Sequence, residues 1–527
     1  MNYDVLIVGS GPSGLATAIN LKNLAQKSNH QISIAIIEKS SSIGGHILSG
    51  CIFNYQQLDS LILNKSQFYS PTINQVTHDK LFFLSKNKTI RLPHPKAWSN
   101  TNQAIVSLSS LCQSLANYAQ TLGVEIFNGY AATDFLFNNN GDEVIGLTIK
   151  GSSAEDSMNI NAQYTVLAEG CYGYLSQKII NKLQLNKQQS PQTYGLGFKE
   201  IWQIQATKHQ NGLVNHYIGY PLKNNAYGGG FVYHIEDNKI AIGLIASLDY
   251  KNPHLNLFNE FQKFKQHNAI TPLLIDGKRI AYGAKTVVEG GVQALPQLAF
   301  AGGLLVGDSA GFLNTAYNKG VNNAIDSGIL AAAAIFNNFT HKNNNLLSLY
   351  SEMIYSSKFY QQLYQIRNIR PVFKLNIYFG IMYAALEHYI LRHHIFWTFK
   401  WRKHDHQYLK NKNMCKTLIY PIPDNIISFD KTTSIYLSNI IYHHNQINHL
   451  QLVNNNQAIS INKLQFANPE IQYCPAGVYE SKTDSNNGLK INFHHCLHCK
   501  ACAIKDPAQN IKWELPDGGT GPQYIDL

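Results

Sequence analysis

Residues 3–14 read Tyr-Asp-Val-Leu-Ile-Val-Gly-Ser-Gly-Pro-Ser-Gly, an apolar run that passes directly into glycines at positions 9, 11 and 14. That order predicts a buried strand, a tight turn and a helix. A second apolar run, Ile32 to Ile37, ends on the acid Glu38, which completes a βαβ unit of the dinucleotide-binding kind. Each position has a physical task. Gly9 permits the turn, Gly11 lets the backbone approach a pyrophosphate, and Gly14 lets helix and strand pack closely. Pro12 and Ser13 open the helix, whose positive end stabilises phosphate charge. Glu38 is placed to accept from the ribose hydroxyls of an adenosine.

Later segments favour FAD over NAD. Gly44-Gly45 follows the acid closely, and Leu304-Leu305-Val306-Gly307-Asp308-Ser309-Ala310-Gly311-Phe312 resembles the motif by which glutathione-reductase-like flavoproteins hold the ribityl chain. On that resemblance Asp308, between Gly307 and Gly311, binds a ribityl hydroxyl; an ordinary helix N-cap is the competing reading. A helix is expected from about Tyr317, alanine-rich through Ala331–Ala334, its positive end favouring electron density on a reduced isoalloxazine. Thr165-Val166-Leu167-Ala168-Glu169-Gly170 fits the strand that closes the same domain.

The far end of the chain carries different chemistry. Cys496, Cys499 and Cys502 stand at i, i+3 and i+6, with Cys474 upstream and Pro475 after it. A turn of this spacing wraps three irons and a remote Cys-Pro closes the fourth corner, the ligand set of a 4Fe-4S cluster. Structural zinc is the competing reading, with nitrogen from His494, His495 or His498, but zinc ligands come as separated pairs. Cys51, Cys112, Cys171 and Cys415 are scattered, as in a reduced compartment.

With both ends read, the sequence resembles the electron transfer flavoprotein-ubiquinone oxidoreductase family almost end to end. The strings that carry the likeness are Ile43-Gly44-Gly45-His46-Ile47-Leu48-Ser49-Gly50, Pro191-Gln192-Thr193-Tyr194-Gly195-Leu196-Gly197, Gly277-Lys278-Arg279-Ile280-Ala281-Tyr282-Gly283-Ala284, Cys474-Pro475-Ala476-Gly477-Val478-Tyr479-Glu480 and Ile504-Lys505-Asp506-Pro507. The resemblance implies FAD and a 4Fe-4S cluster in one chain, with electrons passing from reduced electron transfer flavoprotein to cluster, flavin and ubiquinone. Dehydrogenases such as those acting on acyl-CoA would load the partner. It implies that Gly228 and Gly229 contact the quinone ring, that Asn314 bonds near the flavin, and that Tyr479 donates to the cluster. From the residues alone, Tyr227-Gly228-Gly229-Gly230-Phe231 reads equally as a hairpin turn. Two positions depart from the family: Ala501 replaces a common Thr, which should lower the cluster potential, and Asp308 stands where several relatives have Cys. A geranylgeranyl-reductase-like flavoprotein is the alternative, and a cluster fused into the same chain argues against it.

At 527 residues and 44% hydrophobic the chain can bury a large core, while 14% charged residues still leave a net +11. Such a surplus suits nucleic acid or an anionic membrane. No basic helix interleaved with aromatics is present, so no nucleic acid is expected and lipid is the better partner. Residues 369–403 are aromatic-rich and end in Lys400, Arg402 and Lys403. Lys374, Asn376, Glu387 and Arg392 interrupt any run of the roughly 20 apolar residues a spanning helix needs. An amphipathic segment lying in the interface is expected, with Trp397 and Trp401 at headgroup level. A buried amphipathic core helix is the competing reading. The family's second membrane contact would fall near Phe53 to Tyr69, hinted at by Leu58, Leu61 and Ile62. No targeting segment precedes the first strand, which suggests a monotopic protein on the cytoplasmic face of a bacterial inner membrane, or the matrix face in a processed mitochondrial form.

The expected fold is mixed α/β and α+β. A glutathione-reductase-like FAD-binding Rossmann domain is assembled from 1–80, 100–185 and 282–368, with an antiparallel ubiquinone-binding sheet inserted at 190–281. The membrane segment follows, then a ferredoxin-like 4Fe-4S domain at 404–527. Lys342-Asn343-Asn344-Asn345 reads as a surface loop.

Overall fold

The computed structural model describes residues 1–49, 52–93, 99–101, 103–152, 156–317, 319–341, 346–391, 394–443, 445–481, 488–524 and 527. Gly50, Cys51, the expected loop at Lys342–Asn345, and Arg392 lie outside these residues.

The opening strand, Asn2–Val8, lies inside an eight-stranded sheet. It pairs in parallel with Ile34–Glu38 on one side and Ser157–Leu167 on the other, and Gly303–Leu305 pairs in parallel beyond the latter. A strand covered on both faces reads as a continuous apolar run, and Val5, Leu6 and Ile7 are fully buried. Helix Pro12–Lys27 packs on helix Val321–His341 at close range: a Cβ at Gly328 would come within 2.3 Å of Ser13 O. The same crossing explains the alanines, since Ala331, Ala332 and Ala334 are fully buried. This second helix begins at Val321, later than expected. Asn314 accepts from Tyr317 N–H and exchanges backbone bonds with Lys319, an isolated bridge that precedes the helix.

The second sheet has seven strands in the order Lys278–Val288, Tyr194–Gln203, Lys239–Ser247, Gly228–Ile235, Leu213–Gly219, His78–Leu84 and Thr89–Leu92. Its last two strands come from the first stretch of chain. The strands from residues 194–288 pair antiparallel throughout, as expected, and the one parallel pairing among the described residues of this sheet joins Leu213–Gly219 to the added strand His78–Leu84. One face is covered by helix Leu257–Lys265, whose Phe261 stacks on Phe198 at 5.8 Å.

Residues from 404 on form short elements, among them the pairs Leu450–Leu452 with Ile511–Trp513 and Tyr479–Ser481 with Leu489–Ile491. They share one core with the second sheet. Leu196, Phe198, Tyr282, Cys474, Tyr479 and Ala501 belong to the same buried cluster. Tyr282 Oη donates to Pro475 O at 2.9 Å, and buried Glu200 pairs with Lys265 and Arg279 behind it.

Between sheet and C-terminal region run helices Ile369–Phe373 and Ile377–Ala385. Among the described residues no helix is long and apolar enough to cross a membrane. Of the interrupting polar residues, Lys374 sits 3.1 Å from Asp249 and Glu387 is fully buried, while Asn376 caps its own helix, its Oδ1 accepting from Tyr378 N–H. Tyr378, Phe379, Met382, Tyr389 and Ile390 are each more than half exposed. Trp401 instead docks on the protein through Nε1 to Pro191 O at 2.8 Å. Leu58, Leu61 and Ile62 are 3%, 0% and 4% exposed. Their apolar spacing therefore faces the first domain's core, and the membrane hint read from them is withdrawn.

Candidate functional site

One cavity of about 890 Å³ joins the two sheets. Its wall includes Gly9, Gly11, Pro12, Ser13 and Glu38, Asp308, Gly228 and Gly229, and Leu375, Ile377 and Ile381.

The dinucleotide end is built by backbone. Gly9 has φ +104° and a Cβ there would strike Ala168 O at 2.5 Å. At Gly14 a Cβ would meet Gly9 O at 2.1 Å, whereas over Gly11 there is open space to 4 Å. That gap is where a phosphate can approach. Helix Pro12–Lys27 carries no side-chain cap and no acid in its first turn, so its N-terminal charge faces the gap uncompensated. Glu38 is oriented by Ser10, whose N–H and hydroxyl donate to Oε2 at 2.9 and 2.7 Å, and by Ser40 N–H on Oε1 at 2.8 Å. Gly44 lies against Ser109, and Gly45 against Ser40 and Gln523.

Asp308 sits in the short turn Gly307–Ser309, well before the helix at Val321. It therefore does not cap that helix. Among the described residues its carboxylate accepts no hydrogen bond, and burial pushes it up to about 6 against the pull of Lys285. An unpartnered acid on the cavity wall fits a hydroxyl-bearing ligand. Gly307 packs over Ser13 and Gly311 over Gln192. Asn314 is 2% exposed with Oδ1 engaged by Tyr317, so it supports the turn between Leu313 and Thr315, which do line the cavity.

Gly228 and Gly229 are in the ladder, opposite Ala246 and Ile245. The hairpin turn of this strand lies elsewhere, at Asp237 and Asn238 with φ near +55° (56° and 54°). Gly230 differs from its neighbours, since the Phe264 ring would meet a Cβ there at 2.4 Å.

The four cysteines are buried and free, and all face one small space lined also by Pro475, Ala476 and Tyr479. Val478 N–H points at Cys474 Sγ at 3.5 Å, and the N–H groups of His498, Ala501 and Ala503 serve Cys496, Cys499 and Cys502. Burial and mutual repulsion push the thiols at Cys496, Cys499 and Cys502 up. Four such sulfurs, each with a backbone donor, fit an iron-sulfur cube that takes them as thiolates. The Tyr479 hydroxyl is buried without an oxygen or nitrogen partner and stabilises the Cys502 sulfur. His498 is held by Lys39 at Nδ1 and Tyr442 at Nε2, and its ligand atom lies within 4.8 Å of those of His449 and Cys496, while His494 is exposed and His495 half-buried. That histidine group shares only Cys496 with the four-cysteine pocket.

Two cavities, one bridge: Thr286 Oγ1 donates to Cys499 O at 2.8 Å and receives Cys171 Sγ at 3.4 Å. Thr286 and Cys171 line the large cavity. Sequence reading missed this bridge, and also the buried charges Asp249, Glu289, Arg370 and Lys374 beside the second sheet. A lone arginine in the apolar run Ile369-Arg370-Pro371-Val372-Phe373 was the available signal.

Residues 194–287 match the family described as ETF-QO, ubiquinone-binding, and residues 425–525 match electron transfer flavoprotein-ubiquinone oxidoreductase, 4Fe-4S. Residues 7–59 match an NAD(P)-binding Rossmann-like domain. The mitochondrial electron transfer flavoprotein-ubiquinone oxidoreductase of Arabidopsis thaliana is 41% identical over 99% of this chain and 84% of its own. That of Bos taurus is 39% identical over 99% and 88%. Among solved structures, a geranylgeranyl bacteriochlorophyll reductase-like protein from Thermoplasma acidophilum superposes with TM-score 0.55 at 18% identity, covering 74% of this chain and 96% of its own. The flavin-dependent brominase Bmp2 gives 0.52 at 17%, covering 74% and 92%. These two show the fold alone.

Proposed function

The chain belongs to the electron transfer flavoprotein-ubiquinone oxidoreductase family, and from that premise we propose how its residues serve electron transfer to ubiquinone. It is an oxidoreductase with FAD and a 4Fe-4S cluster as cofactors, and electron transfer flavoprotein and ubiquinone are its partners. When bound, the cluster supplies one-electron exchange and the flavin supplies the conversion between single electrons and pairs; the protein supplies orientation and electrostatics.

Gly9, Gly11, Pro12, Ser13 and Gly14 form the pyrophosphate cradle, with Gly44 and Gly45 closing its side. Glu38 accepts from the ribose and Asp308 from the ribityl chain, with Gly307 and Gly311 shaping its turn. Asn314 holds the loop against the ring indirectly, through the bridge to Lys319. Cys474, Cys496, Cys499 and Cys502 ligate the cluster. Gly228 and Gly229 receive the quinone, which enters between Leu375, Ile377 and Ile381.

The exposed apolar face of residues 375–390, next to that entry and followed by Lys400, Arg402 and Lys403, supports a monotopic seat on a membrane. The curated relatives are named as mitochondrial proteins. We place the protein at the face that the soluble flavoprotein reaches, cytoplasmic in a bacterium and matrix in a mitochondrion.

The observation that carries this reading is the single cavity from Gly11 to Gly229, touching the cluster loop through Thr286. Anaerobic reduction by electron transfer flavoprotein, with and without a ubiquinone analogue, tests it: flavin and iron signals should both bleach, and the analogue should restore both. Iron that stays oxidised throughout overturns the proposed path. Gly229→Leu should block quinone reduction while both signals still bleach, because its side chain would meet Tyr217 O, 2.6 Å from a Cβ at this position.

A further inference from the structure

Turning a quinone into a quinol takes two electrons and two protons. Backbone N–H groups at Gly228 and Gly229 donate hydrogen bonds but release no protons, and Leu375, Ile377 and Ile381 are apolar. The wall must therefore carry a titratable group within reach.

Such a group, Glu289, follows strand Lys278–Val288 three pairings across the sheet from Gly228, with its side chain reaching back over Gly195, the partner of Ser247. Ser247 N–H donates to Tyr227 O at 2.8 Å, directly beside Gly228. The Ser247 hydroxyl accepts from Arg370, whose guanidinium also donates to Glu289 Oε2 at 3.0 and 3.3 Å and to Asp249 Oδ2 at 3.0 Å. Lys374 approaches the same Asp249 oxygen at 3.1 Å, and Arg370 lies 4.8 Å over the Tyr227 ring. Asp249 and Glu289 line the cavity that Gly228 and Gly229 line, at 9% and 4% exposure.

The two carboxyls are not equivalent. Burial pushes Asp249 up, but Arg370 and Lys374 together hold it well below the usual range. Burial pushes Glu289 up, and Arg370 offsets only part of that. Both Arg370 bonds fall on Oε2, and Oε1 occupies the space left by Gly195, where a Cβ would come within 2.3 Å of it. With Asp249 ionised against two cations, Glu289 can gain or lose a proton without leaving the group with net negative charge.

We propose that Glu289 is the acid that protonates the quinone, held by Arg370, which Asp249 in turn fixes. The proposal rests on Gly228 and Gly229 being the quinone site. The quinone takes two electrons from the established path; at the carbonyl oxygen that faces Glu289 an O–H bond forms as the Glu289 carboxyl O–H breaks, while water supplies the proton of the opposite oxygen and restores that of Glu289. Asp405, whose Oδ1 has no partner among the described residues, stands behind the group as a second buried acid, pushed up by burial and by the negative charge of Asp249. Arg370 from helix Ile369–Phe373, Asp249 after strand Lys239–Ser247 and Tyr227 before strand Gly228–Ile235 face Glu289. Lys374 and Asp405 act on it through Asp249.

The test is Glu289→Gln in the holoenzyme, with reduced electron transfer flavoprotein as donor and a soluble ubiquinone analogue as acceptor, across pH. Flavin and iron should still be reduced by the donor as in the parent. Quinone reduction should fall roughly a hundredfold; the parent's rate should decline as rising pH deprotonates Glu289, and that decline should be absent in the variant, with Glu289→Asp restoring part of both. An unchanged rate and pH profile overturns the proposal. If Glu289→Gln loses its FAD, redox-difference infrared spectra of the parent decide: a carboxylic-acid carbonyl band that changes during quinone turnover supports the assignment, and its absence overturns it. Failure of the underlying quinone site looks different, since Gly229→Leu would then leave quinone reduction intact.

Discussion

Among the described residues Asp308 accepts no hydrogen bond, and burial pushes it up to about 6, so a donor on its ligand would control its charge. A ribityl hydroxyl donating to it favours the ionised form. FAD affinity should then be full above about pH 6 and fall by up to about tenfold per unit below it. FAD release measured at about pH 5 and pH 8 checks this, and Asp308→Asn should flatten the difference; pH-independent release in the parent would remove the assignment. Ala501, 1% exposed at the start of helix Ala501–Lys505, offers a second single-residue test. Ala501→Thr places a hydroxyl beside Cys499 and should raise the cluster potential in a redox titration; no rise would sink the idea. Both positions were singled out by resemblance, because the motifs that carry it are contiguous in sequence. Glu289 and Arg370 were not, because 81 residues separate them and only the fold joins them.

At the scale of elements, apolar spacing told less than it promised. Leu58, Leu61 and Ile62 and the run from Tyr378 to Ile390 both look amphipathic, yet the first faces the core and the second faces outward. Periodicity gives a face, and only packing says what covers it. Leu61→Ala should cost about 2–5 kcal/mol in unfolding and leave vesicle binding unchanged. Phe379→Ser with Met382→Ser should do the reverse, with stability nearly unaltered and co-sedimentation with anionic liposomes reduced roughly tenfold or more. Equal liposome binding by that double variant would contradict the membrane seat. The same limit hid the two strands His78–Leu84 and Thr89–Leu92: their alternation is strand-like, but the partner, Leu213–Gly219, lies more than a hundred residues on.

Taken as a molecule, the chain joins its cofactor regions by long-range stitching. Cys499→Ala should leave FAD in place, since the cradle is built from residues 9–45 and 307–311, but abolish reduction by electron transfer flavoprotein. Stopped-flow spectra of the flavin and iron bands decide, and a normal rate would reverse the proposed order of carriers. Residues 519–524 clasp the cradle itself: Gly519 N–H donates to Lys39 O at 2.7 Å, Tyr524 N–H to Gly45 O at 2.7 Å, and Ser42 Oγ to Gln523 at 3.1 Å. The wall around the adenosine is thus finished by residues that leave the ribosome nearly five hundred positions later. A nascent chain halted before residue 519 would bear the nucleotide-binding fingerprint without the contacts that brace Lys39, Ser42 and Gly45 from behind, so secure retention of the vitamin is expected only once the chain is finished.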